Sequence, residues 1–303
     1  MISIVVTTYN RKEALSMCVG SILDQTYADF ELIIIDDAST DDTEIFLRNM
    51  DDARIRYIKM EKNAGSTQAR NKGLDVVTGD YVIVWDSDDI LYPNALSTLL
   101  NGFTKYPDAI TISAPTRVYA GMKEIFYEPL APGLVPFSNI ISVDYVKHKL
   151  ARLSKASHVG QVRYVGRNLD FMFNSALAEC GPWYQLDEYV GDHFLQSDIF
   201  SLTSVRRKPH VQYSIERVVY LGEYLFKYKQ IMIGHNPGKY AAYSYGASLG
   251  FLLSGDNIKA RHYAHEAFTY QKKLSYKFLC MLTYVPGGAF ILKILFLLKR
   301  VLY

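Results

Sequence analysis

Four consecutive residues, Asp86-Ser87-Asp88-Asp89, place carboxylates at a spacing that suits metal chemistry. Two aspartates separated by one residue can share a hard divalent cation, which prefers oxygen ligands and often keeps substrate phosphates among its contacts. A cation held by Asp86 and Asp88 would bridge a diphosphate and absorb the negative charge that develops as a nucleoside diphosphate leaves. The alternative is a turn that caps the helix predicted after Pro93.

Two further polar clusters, Thr7-Thr8-Tyr9-Asn10 and Asp36-Asp37, follow apolar runs in the same way. The alternation of apolar runs with helical patterns predicts five strands, at Ile2 to Val6, Phe30 to Ile35, Ile55 to Lys59, Tyr81 to Trp85 and Ile110 to Ala114. Strands that are continuously apolar belong to a buried, mostly parallel sheet flanked by helices. The three polar clusters should then meet at the carboxyl ends of the strands, where such sheets bind ligands.

Helices are predicted between these strands and again near the end of the chain. Asn10 with Glu13 resembles a capping box, and Asp41 with Glu44 also predicts a helix start. The remaining predicted helices are Ser66 to Val76, Pro93 to Tyr106, Asp192 to Phe200, and a helical hairpin from about Gly222 to Lys273 that turns at Gly255-Asp256. Four loop-forming residues, Pro129, Pro132, Gly133 and Pro136, predict irregular loops up to about residue 165.

The segment 274–303 is apolar with basic residues at both ends. It is broken by Pro286-Gly287-Gly288 and Lys293, so it falls short of the roughly 20 uninterrupted apolar residues that a spanning helix needs. We expect this segment to be an interfacial or re-entrant anchor, with its basic ends at an anionic membrane surface. The alternative is a terminal helix docked on the protein's own core.

Charge and cysteine content restrict the class of protein further. Residues 1–115 carry 10 basic and 18 acidic side chains, whereas residues 116–303 carry 23 and 13. An acidic half suits divalent cations, and a basic half suits phosphates or an anionic lipid surface. The three distant cysteines indicate neither a disulfide framework nor a zinc site, and no secretory signal precedes the first apolar run. A cytoplasmic protein associated peripherally with the membrane is expected.

Several motifs occur in a fixed order within the first 115 residues. They are Ser3–Asn10, Ser21–Tyr27, Glu31–Asp41, Asn63–Gly65 with Ala69–Gly73, and Asp86–Asp89. Together they closely resemble the donor-binding half of glycosyltransferase family 2. The resemblance implies an α/β fold of the GT-A type, with a Rossmann-like, mostly parallel sheet flanked by helices and followed here by a helical C-terminal region. It also implies a nucleotide-diphosphate sugar donor, magnesium or manganese, and inversion at the anomeric carbon.

The resemblance carries donor-binding roles onto four residues. Thr7 and Tyr9 would line the nucleobase pocket, and Asp37 would bind the edge of the base or the ribose. Arg70 would lie near the diphosphate. The alternatives are a helix cap for Asp37 and a surface ion pair for Arg70.

The resemblance also implies a metal ligand and a catalytic base. Asp88 would be the direct metal ligand. Asp86 would contact either the ribose or, through the metal's coordination shell, the metal. Inversion by a single displacement needs a base on the face opposite the leaving diphosphate. The sequence Cys180-Gly181-Pro182-Trp183, followed by Gly191-Asp192-His193-Phe194, resembles the region where the family places this base at a helix start, which makes Asp192 the candidate. Many relatives carry Glu-Asp at this pair, and the alternative for Asp192 is a helix cap.

The expected function is the inverting, metal-dependent transfer of a single sugar from a nucleotide-diphosphate sugar to a glycan, lipid-linked, at the cytoplasmic membrane face. Alternatives are transfer to a polyprenyl phosphate and a non-catalytic glycan-binding or scaffold protein. The expected division is a donor-binding half (1–115), an acceptor-binding and base-bearing half (116–215), and a helical region (216–303). Two roles are open for Trp183 and Tyr184, which are stacking on an acceptor sugar and anchoring a loop. No nucleic-acid partner is expected.

Overall fold

The structure, a computed structural model, describes residues 1–126, 129–142, 150–165, 170–195, 215–285, 287–289 and 291. The chain divides into two compact units, Met1–Thr203 and Ser204–Tyr303. All of the residues predicted to form the site belong to the first unit.

A large sheet forms the centre of the first unit. The strands of this unit are β1 Ile2–Thr8, β2 Phe30–Asp36, β3 Ile55–Lys59, β4 Tyr81–Asp86, β5 Ile90–Leu91, β6 Thr111–Pro115, β7 Arg117–Ala120, β8 Lys123–Ile125, β9 Gly133–Leu134, β10 Leu150–Lys155, β11 Trp183–Gln185 and β12 Gly191–Leu195. Eight of them form one sheet in the order β3-β2-β1-β4-β10-β6-β11-β9. β1 pairs in parallel with β2 and β4, and β2 pairs in parallel with β3. The predicted mostly parallel α/β sheet is confirmed.

Both faces of the sheet are buried, as the continuously apolar strands predict. On β1, Ile4 and Val6 pack into a core on one face, and Val5 packs into a second core on the other face with Ile33 and Ile35 of β2. All five side chains are fully buried. This arrangement fixes the strand register, because a shift by one residue would exchange the two faces.

Helices cover the sheet and connect its parallel strands. In the first unit they are α1 Lys12–Leu23, α2 Thr43–Arg48, α3 Ser66–Leu74, α4 Ala95–Lys105, α5 Phe137–Ser142, α6 Ala156–Val159 and α7 Asp170–Glu179. The capping box predicted at Asn10 is wrong, because the N-cap of α1 is Arg11 and it makes no side-chain cap bond. Asn10 instead has a left-handed φ of 51°, and its side-chain oxygen accepts a hydrogen bond from the Thr40 amide.

The region expected to form irregular loops contains an interior strand. β10 lies between β4 and β6 and is antiparallel to both. Its Leu150, Ala151, Leu153 and Ser154 are buried, so the prediction of loops up to residue 165 is wrong here. A strand that mixes apolar and polar residues over six positions gives a weak sequence pattern, and the long-range pairing decides its conformation.

The prediction of a helix from Asp192 to Phe200 is also wrong for residues 192–195, which form a strand. Residues 196–200 lie outside the described part of the chain. Gly191–Leu195 form β12, which belongs to a second sheet in the order β5-β12-β7-β8. β12 pairs in parallel with β7 and antiparallel with β5. Asp192 is therefore a strand residue rather than a helix cap.

The second unit is helical over its described residues. It contains α8 Ile215–His235, α9 Pro237–Ser254, α10 Asn257–Tyr270 and α11 Leu274–Leu282. The hairpin predicted at Gly255-Asp256 is confirmed, since Gly255 ends α9 with a left-handed φ of 89° and the Asp256 carboxylate caps α10 through the Lys259 amide. Ser248 of α9 donates a hydrogen bond to the Ala260 carbonyl of α10, so small side chains let the helices approach closely.

The apolar tail is described only in part. α11 buries Tyr276, Leu279, Cys280 and Leu282, and residues 292–303 lie outside the described part of the chain. Among the described helices, none is long and apolar enough to cross a membrane.

Candidate active site

The ends of three neighbouring strands bring the predicted polar clusters together. Thr7 near the end of β1 is in register with Asp86 at the end of β4. Thr8 is in register with Asp36 at the end of β2. Tyr9 follows β1 directly and is half-buried. The structure therefore places Thr7, Tyr9, Asp37 and Asp86 at one edge of the sheet, as the strand pattern predicts.

Asp37 lies beneath this edge and holds a loop in place. Its Oδ1 accepts a hydrogen bond of 2.7 Å from the Ala64 amide, and its Oδ2 accepts one of 2.8 Å from the Gly65 amide. Gly65 has a left-handed φ of 92° and precedes α3, which carries Arg70. Asp37 therefore fixes the start of α3 from outside that helix, and it does not cap the helix α2 that follows it.

Arg70 reaches from α3 across to the acidic cluster. Its Nη2 lies 2.8 Å from Oδ1 of Asp86, and only 12% of its side chain is exposed. The guanidinium also lies over the Tyr164 ring, 5.2 Å from the centroid. The Tyr164 ring is itself stacked on Phe173 at 4.0 Å. The ion pair is therefore part-buried, because the Arg70 side chain is buried and supported by aromatic packing whereas 38% of the Asp86 side chain is exposed.

The residues Asp86–Asp89 do form a turn, which a hydrogen bond from the Asp89 amide to the Asp86 carbonyl closes at 3.2 Å. The turn does not cap α4, whose N-cap is Asn94. Within it, Oδ2 of Asp88 lies 3.1 Å from Nη1 of Arg11. Burial, followed by the charges of Asp89 and Asp86, raises the pKa of Asp88 to about 6 despite Arg11. A divalent cation would relieve this crowding of carboxylates.

Asp89 and His193 form a buried pair that sequence reasoning did not single out. Nδ1 of His193 lies 2.6 Å from Oδ2 of Asp89, and the Phe194 amide donates to Oδ1 of Asp89 at 3.1 Å. The exposed fractions of Asp89 and His193 are 4% and 6%. The pair ties the acidic turn to β12 across more than one hundred residues of sequence. Side chains of a strand alternate between its two faces, so a strand through Asp192 would place His193 on the buried face. The sequence instead predicts a helix for this segment, and the signal is therefore missed.

Asp86, Asp89 and His193 together have the chemistry of a divalent-cation site. One ligand atom from each lies within 4.8 Å of the others. Two carboxylate oxygens and one imidazole nitrogen are donors that first-row divalent metals accept. The predicted ligand Asp86 belongs to this group, whereas Asp88 pairs with Arg11 beside it. The residues present therefore fit the implied metal.

Asp192 lies on β12 next to His193 but on the opposite face of the strand, because successive side chains alternate. Its Oδ1 accepts a hydrogen bond of 2.5 Å from the Tyr92 hydroxyl. Burial, then the hydrogen bond to Asp192, raises the pKa of Tyr92, so this phenol remains a donor. Asp192 is half-buried, with its orientation fixed by a neutral partner.

The two aromatic residues proposed from the sequence as sugar contacts have other partners. Trp183 is 2% exposed, and its indole nitrogen donates a hydrogen bond of 2.7 Å to Ser113. Tyr184 stacks on Tyr106 at 4.2 Å, and its hydroxyl donates to Asp108. Trp183 is thus a core anchor.

The family model of glycosyl transferase family 2 matches residues 3–160, slightly more than half of the chain. The chain belongs to this family. The match runs from β1 through the acidic turn to β10, so it includes the donor-side edge described above.

Curated glycosyltransferases resemble the chain over about a third of its length. Glycosyltransferase GlyG of Streptococcus pneumoniae is 42% identical over 103 residues, 33% of this chain and 34% of that protein. A GalNAc(5)-diNAcBac-PP-undecaprenol beta-1,3-glucosyltransferase of Campylobacter jejuni is 39% identical over 102 residues, 33% of each chain. WfgD of Escherichia coli, a UDP-Glc:alpha-D-GlcNAc-diphosphoundecaprenol beta-1,3-glucosyltransferase, is 34% identical over 105 residues, 35% of this chain and 42% of that protein. Each match thus covers less than half of the relative's length.

Two solved structures share the fold over most of the chain. Staphylococcus aureus TarS 1–349 in complex with UDP-GlcNAc has a TM-score of 0.59 at 14% identity, covering 93% of this chain and 79% of that one. The mannosyltransferase PcManGT from Pyrobaculum calidifontis, in complex with GDP-Man and Mn²⁺, has a TM-score of 0.52 at 17% identity, covering 96% and 86%. The GT-A fold expected from the sequence is confirmed.

Proposed function

We propose that this family 2 protein is an inverting, metal-dependent glycosyltransferase that moves one sugar from a nucleotide-diphosphate sugar to a lipid-linked glycan. The observation that carries the proposal is the convergence of two functions on β12. His193 completes a group of metal ligands with Asp86 and Asp89, and Asp192 presents a carboxylate on the opposite face of the same strand. A donor centre and a base are thus held at a fixed separation.

The donor lies on the strand-end edge in this proposal. Arg70 binds the diphosphate, because its guanidinium is held beside Asp86 and backed by Tyr164. Thr7 and Tyr9 line the nucleobase pocket at the end of β1, and Asp37 fixes the loop before α3 in addition to its assigned contact with the base or ribose. The TarS and PcManGT structures, which hold UDP-GlcNAc and GDP-Man with Mn²⁺, support a nucleotide-sugar donor.

Asp86, Asp89 and His193 would hold magnesium or manganese. Asp88, the direct ligand predicted from the family motif, would join them by leaving its ion pair with Arg11. When bound, the metal supplies stabilisation of the negative charge on the leaving diphosphate. Arg11 holds the Asp88 carboxylate within the same turn. The hydrogen bond between Nδ1 of His193 and Oδ2 of Asp89 fixes the orientation of both side chains.

Asp192 acts as the general base. It takes the proton of the acceptor hydroxyl while that oxygen attacks the anomeric carbon, and the bond to the diphosphate breaks on the opposite face, which inverts the configuration. Tyr92 fixes one oxygen of the carboxylate. The Campylobacter and E. coli relatives are undecaprenol-diphosphate glycan glucosyltransferases by name, which supports a lipid-linked saccharide as acceptor.

Nucleotide release tests the proposed activity. Purified protein with Mn²⁺ or Mg²⁺ is incubated with a panel of nucleotide sugars, with and without lipid-linked saccharides. We expect slow hydrolysis of one donor alone and faster release with an acceptor. Asp192→Asn should lower acceptor-dependent transfer by about 10²- to 10⁴-fold and keep donor binding. The exposed Asp187→Asn variant is the control and should keep full activity.

Two outcomes of the nucleotide-release assay would contradict the proposed activity. If the unaltered protein neither binds nor hydrolyses any donor of the panel, the enzymatic proposal fails. If the product is a glycosyl phosphate lipid, transfer to polyprenyl phosphate replaces the proposed reaction.

We also infer that the enzyme works at the cytoplasmic membrane surface, with α11 in contact with lipid. Leu274, Phe278 and Met281 share one side of this helix and are 83%, 46% and 59% exposed. Lys273 and Lys277 beside them are exposed as well. An apolar stripe flanked by lysines suits an anionic leaflet, where each basic residue contributes about 1 kcal/mol.

Vesicle sedimentation tests this contact. Leu274, Phe278 and Met281 are replaced together by serine, and we expect binding to vesicles rich in phosphatidylglycerol to fall about tenfold or more. The control replaces Phe226 and Ile258 by serine, since these are 86% and 82% exposed on other helices of the same unit. Equal vesicle binding by both variants would show that α11 does not anchor the protein.

A further inference from the structure

One face of the second sheet carries side chains beside Asp192 that have no role in the reaction proposed above. β12 and β7 are paired in parallel, with Asp192 opposite Arg117 and Phe194 opposite Tyr119. Residues paired in a ladder lie on the same face, and alternate residues of one strand share that face. All four side chains therefore lie on one face of the sheet. The other face buries Val118 and His193, which are 2% and 6% exposed.

Tyr119 and Phe194 form an aromatic surface on this face. Their rings are stacked, with centroids 5.5 Å apart and an interplanar angle of 23°. Both side chains are half-buried, so part of each ring faces solvent within the described part of the chain. Phe194 follows Asp192 by two residues, a step of about 7 Å along a strand. The aromatic surface thus begins one sugar-ring width from the carboxylate that acts as base.

Charged groups border the aromatic pair. Arg117 is exposed and lies over the Tyr189 ring at 5.8 Å. Glu124 of β8 is exposed and pairs with Tyr119 across the ladder, which places it on the same face. The combination is an apolar aromatic surface with a hydrogen-bond donor and an acceptor at its edge.

This chemistry matches one class of ligand. A pyranose ring has a face of C–H groups that packs on aromatic rings and a rim of hydroxyls that both donate and accept hydrogen bonds. A base must lie within hydrogen-bond distance of the hydroxyl that it deprotonates, so the acceptor must be next to Asp192. A bare lipid phosphate has no apolar ring face to place on Tyr119 and Phe194.

On the basis of the proposed function, we propose that Tyr119 and Phe194 are the platform on which the sugar ring of the acceptor stacks, with Arg117 and Glu124 binding its hydroxyl groups. The platform orients one hydroxyl of that ring toward Asp192. The acceptor is consequently a saccharide, and the product is an extended saccharide rather than a glycosyl phosphate.

The test separates acceptor binding from donor chemistry. Nucleotide release is measured without acceptor and with a panel of octyl glycosides of glucose, galactose, GlcNAc and GalNAc. In Tyr119→Leu and Phe194→Leu we expect the acceptor KM to rise about tenfold, as for the loss of one substantial contact, which exceeds any change in the donor KM or in acceptor-free hydrolysis. Tyr119→Phe retains the ring and should keep an acceptor KM close to that of the unaltered enzyme.

The Tyr106–Tyr184 stack supplies a matched control. Tyr184→Leu removes one ring of a stacked pair in the first sheet and should leave the acceptor KM unchanged. Thermal unfolding and acceptor-free hydrolysis show whether each variant is folded. If the Leu variants at Tyr119 and Phe194 keep the acceptor KM, or if no glycoside stimulates release while hydrolysis persists, the platform is disproved. Absence of hydrolysis in the unaltered protein would overturn the proposed function, and the platform with it.

Discussion

The Tyr92 hydroxyl donates a hydrogen bond of 2.5 Å to Oδ1 of Asp192, and the two residues are 100 positions apart in the sequence. Tyr92 follows the short strand β5, which pairs with β12 at Asp192 itself. The hydrogen bond therefore reinforces a backbone ladder that already holds the carboxylate. Tyr92 does not need to touch either substrate in this arrangement, which makes it a positioning residue for the base.

Tyr92→Phe should lower kcat and leave the donor KM within about twofold. A hydrogen bond to a charged group contributes about 1.5–3 kcal/mol, so we expect kcat to fall roughly 10- to 100-fold. Steady-state kinetics with saturating acceptor measure both constants.

The control for this variant is Tyr184→Phe, which removes another tyrosine–aspartate hydrogen bond, of 3.0 Å, from Tyr184 of the first sheet to Asp108. That variant should keep full activity. If both variants lose activity equally, or if Tyr92→Phe raises only the donor KM, Tyr92 does not act through Asp192.

His193→Gln should weaken Mn²⁺ binding. Loss of a ligand or of its hydrogen-bonded partner typically reduces metal affinity by about 10- to 100-fold, and His193 fills both roles in its pair with Asp89. Calorimetric titration of Mn²⁺ in the presence of the nucleoside diphosphate measures the affinity. His265→Gln, on an exposed histidine bonded to Tyr284, is the control. Unchanged Mn²⁺ affinity in His193→Gln would remove His193 from the proposed metal site.

Sequence patterns were sufficient for the donor side of the fold because its signals are local. Each of β1, β2 and β4 is a continuous apolar run followed at once by polar residues, so strand order and the position of Asp86 follow from periodicity and connection rules. The motif resemblance added the family, and with it the nucleotide-sugar donor.

The base side could not be predicted in the same way, because its conformation depends on distant pairing. Gly191–Leu195 carries no strong strand pattern, and it is a strand because β5 and β7 pair with it. The contacts of Asp89 with His193 and of Asp192 with Tyr92 depend on that pairing. The motif located Asp192 in the sequence, whereas its partners depend on the tertiary structure.

The stability of the second unit should depend on pH through Glu266. Lys229 lies 2.8 Å from Oε2 of Glu266, and the Tyr240 hydroxyl donates to the same oxygen at 2.6 Å. Burial acts to raise the pKa of Glu266, but these two hydrogen bonds outweigh it and hold the pKa below its usual value of 4.5. A carboxyl group whose pKa is lowered in the folded state stabilises the fold at pH values above its usual pKa. This contribution is lost as the pH falls through the lowered pKa.

Glu266→Gln should therefore lower the melting temperature at neutral pH, and the difference from the unaltered protein should shrink on acidification. Thermal unfolding followed by circular dichroism across the acidic range measures both. Glu223→Gln, an exposed residue of α8, should track the unaltered protein at every pH. A Glu266→Gln deficit that is constant with pH would assign the effect to packing rather than to ionisation.

Gly191 is the position where this chain departs from the Glu-Asp pair of many family members, and the structure gives a steric reason. A Cβ added at Gly191 would meet the carbonyl oxygen of Ile90 on the paired strand β5, and backbone has little room to move within a ladder. Gly191→Ala should destabilise the first unit by about 1–3 kcal/mol, as overpacking does. It should also lower transfer, because the β5–β12 ladder holds Asp192 beside Tyr92.

Gly20→Ala is the matched control, since a Cβ at Gly20 meets no atom within 4 Å and the residue lies inside α1. That variant should be stabilised by about 0.5–1 kcal/mol, the usual gain of alanine over glycine within a helix. Chemical denaturation monitored by fluorescence gives the free energy of unfolding for both variants. If Gly191→Ala is as stable and as active as the unaltered enzyme, the close approach of β5 to β12 does not restrict this position, and Gly191→Glu would then be tolerated as well.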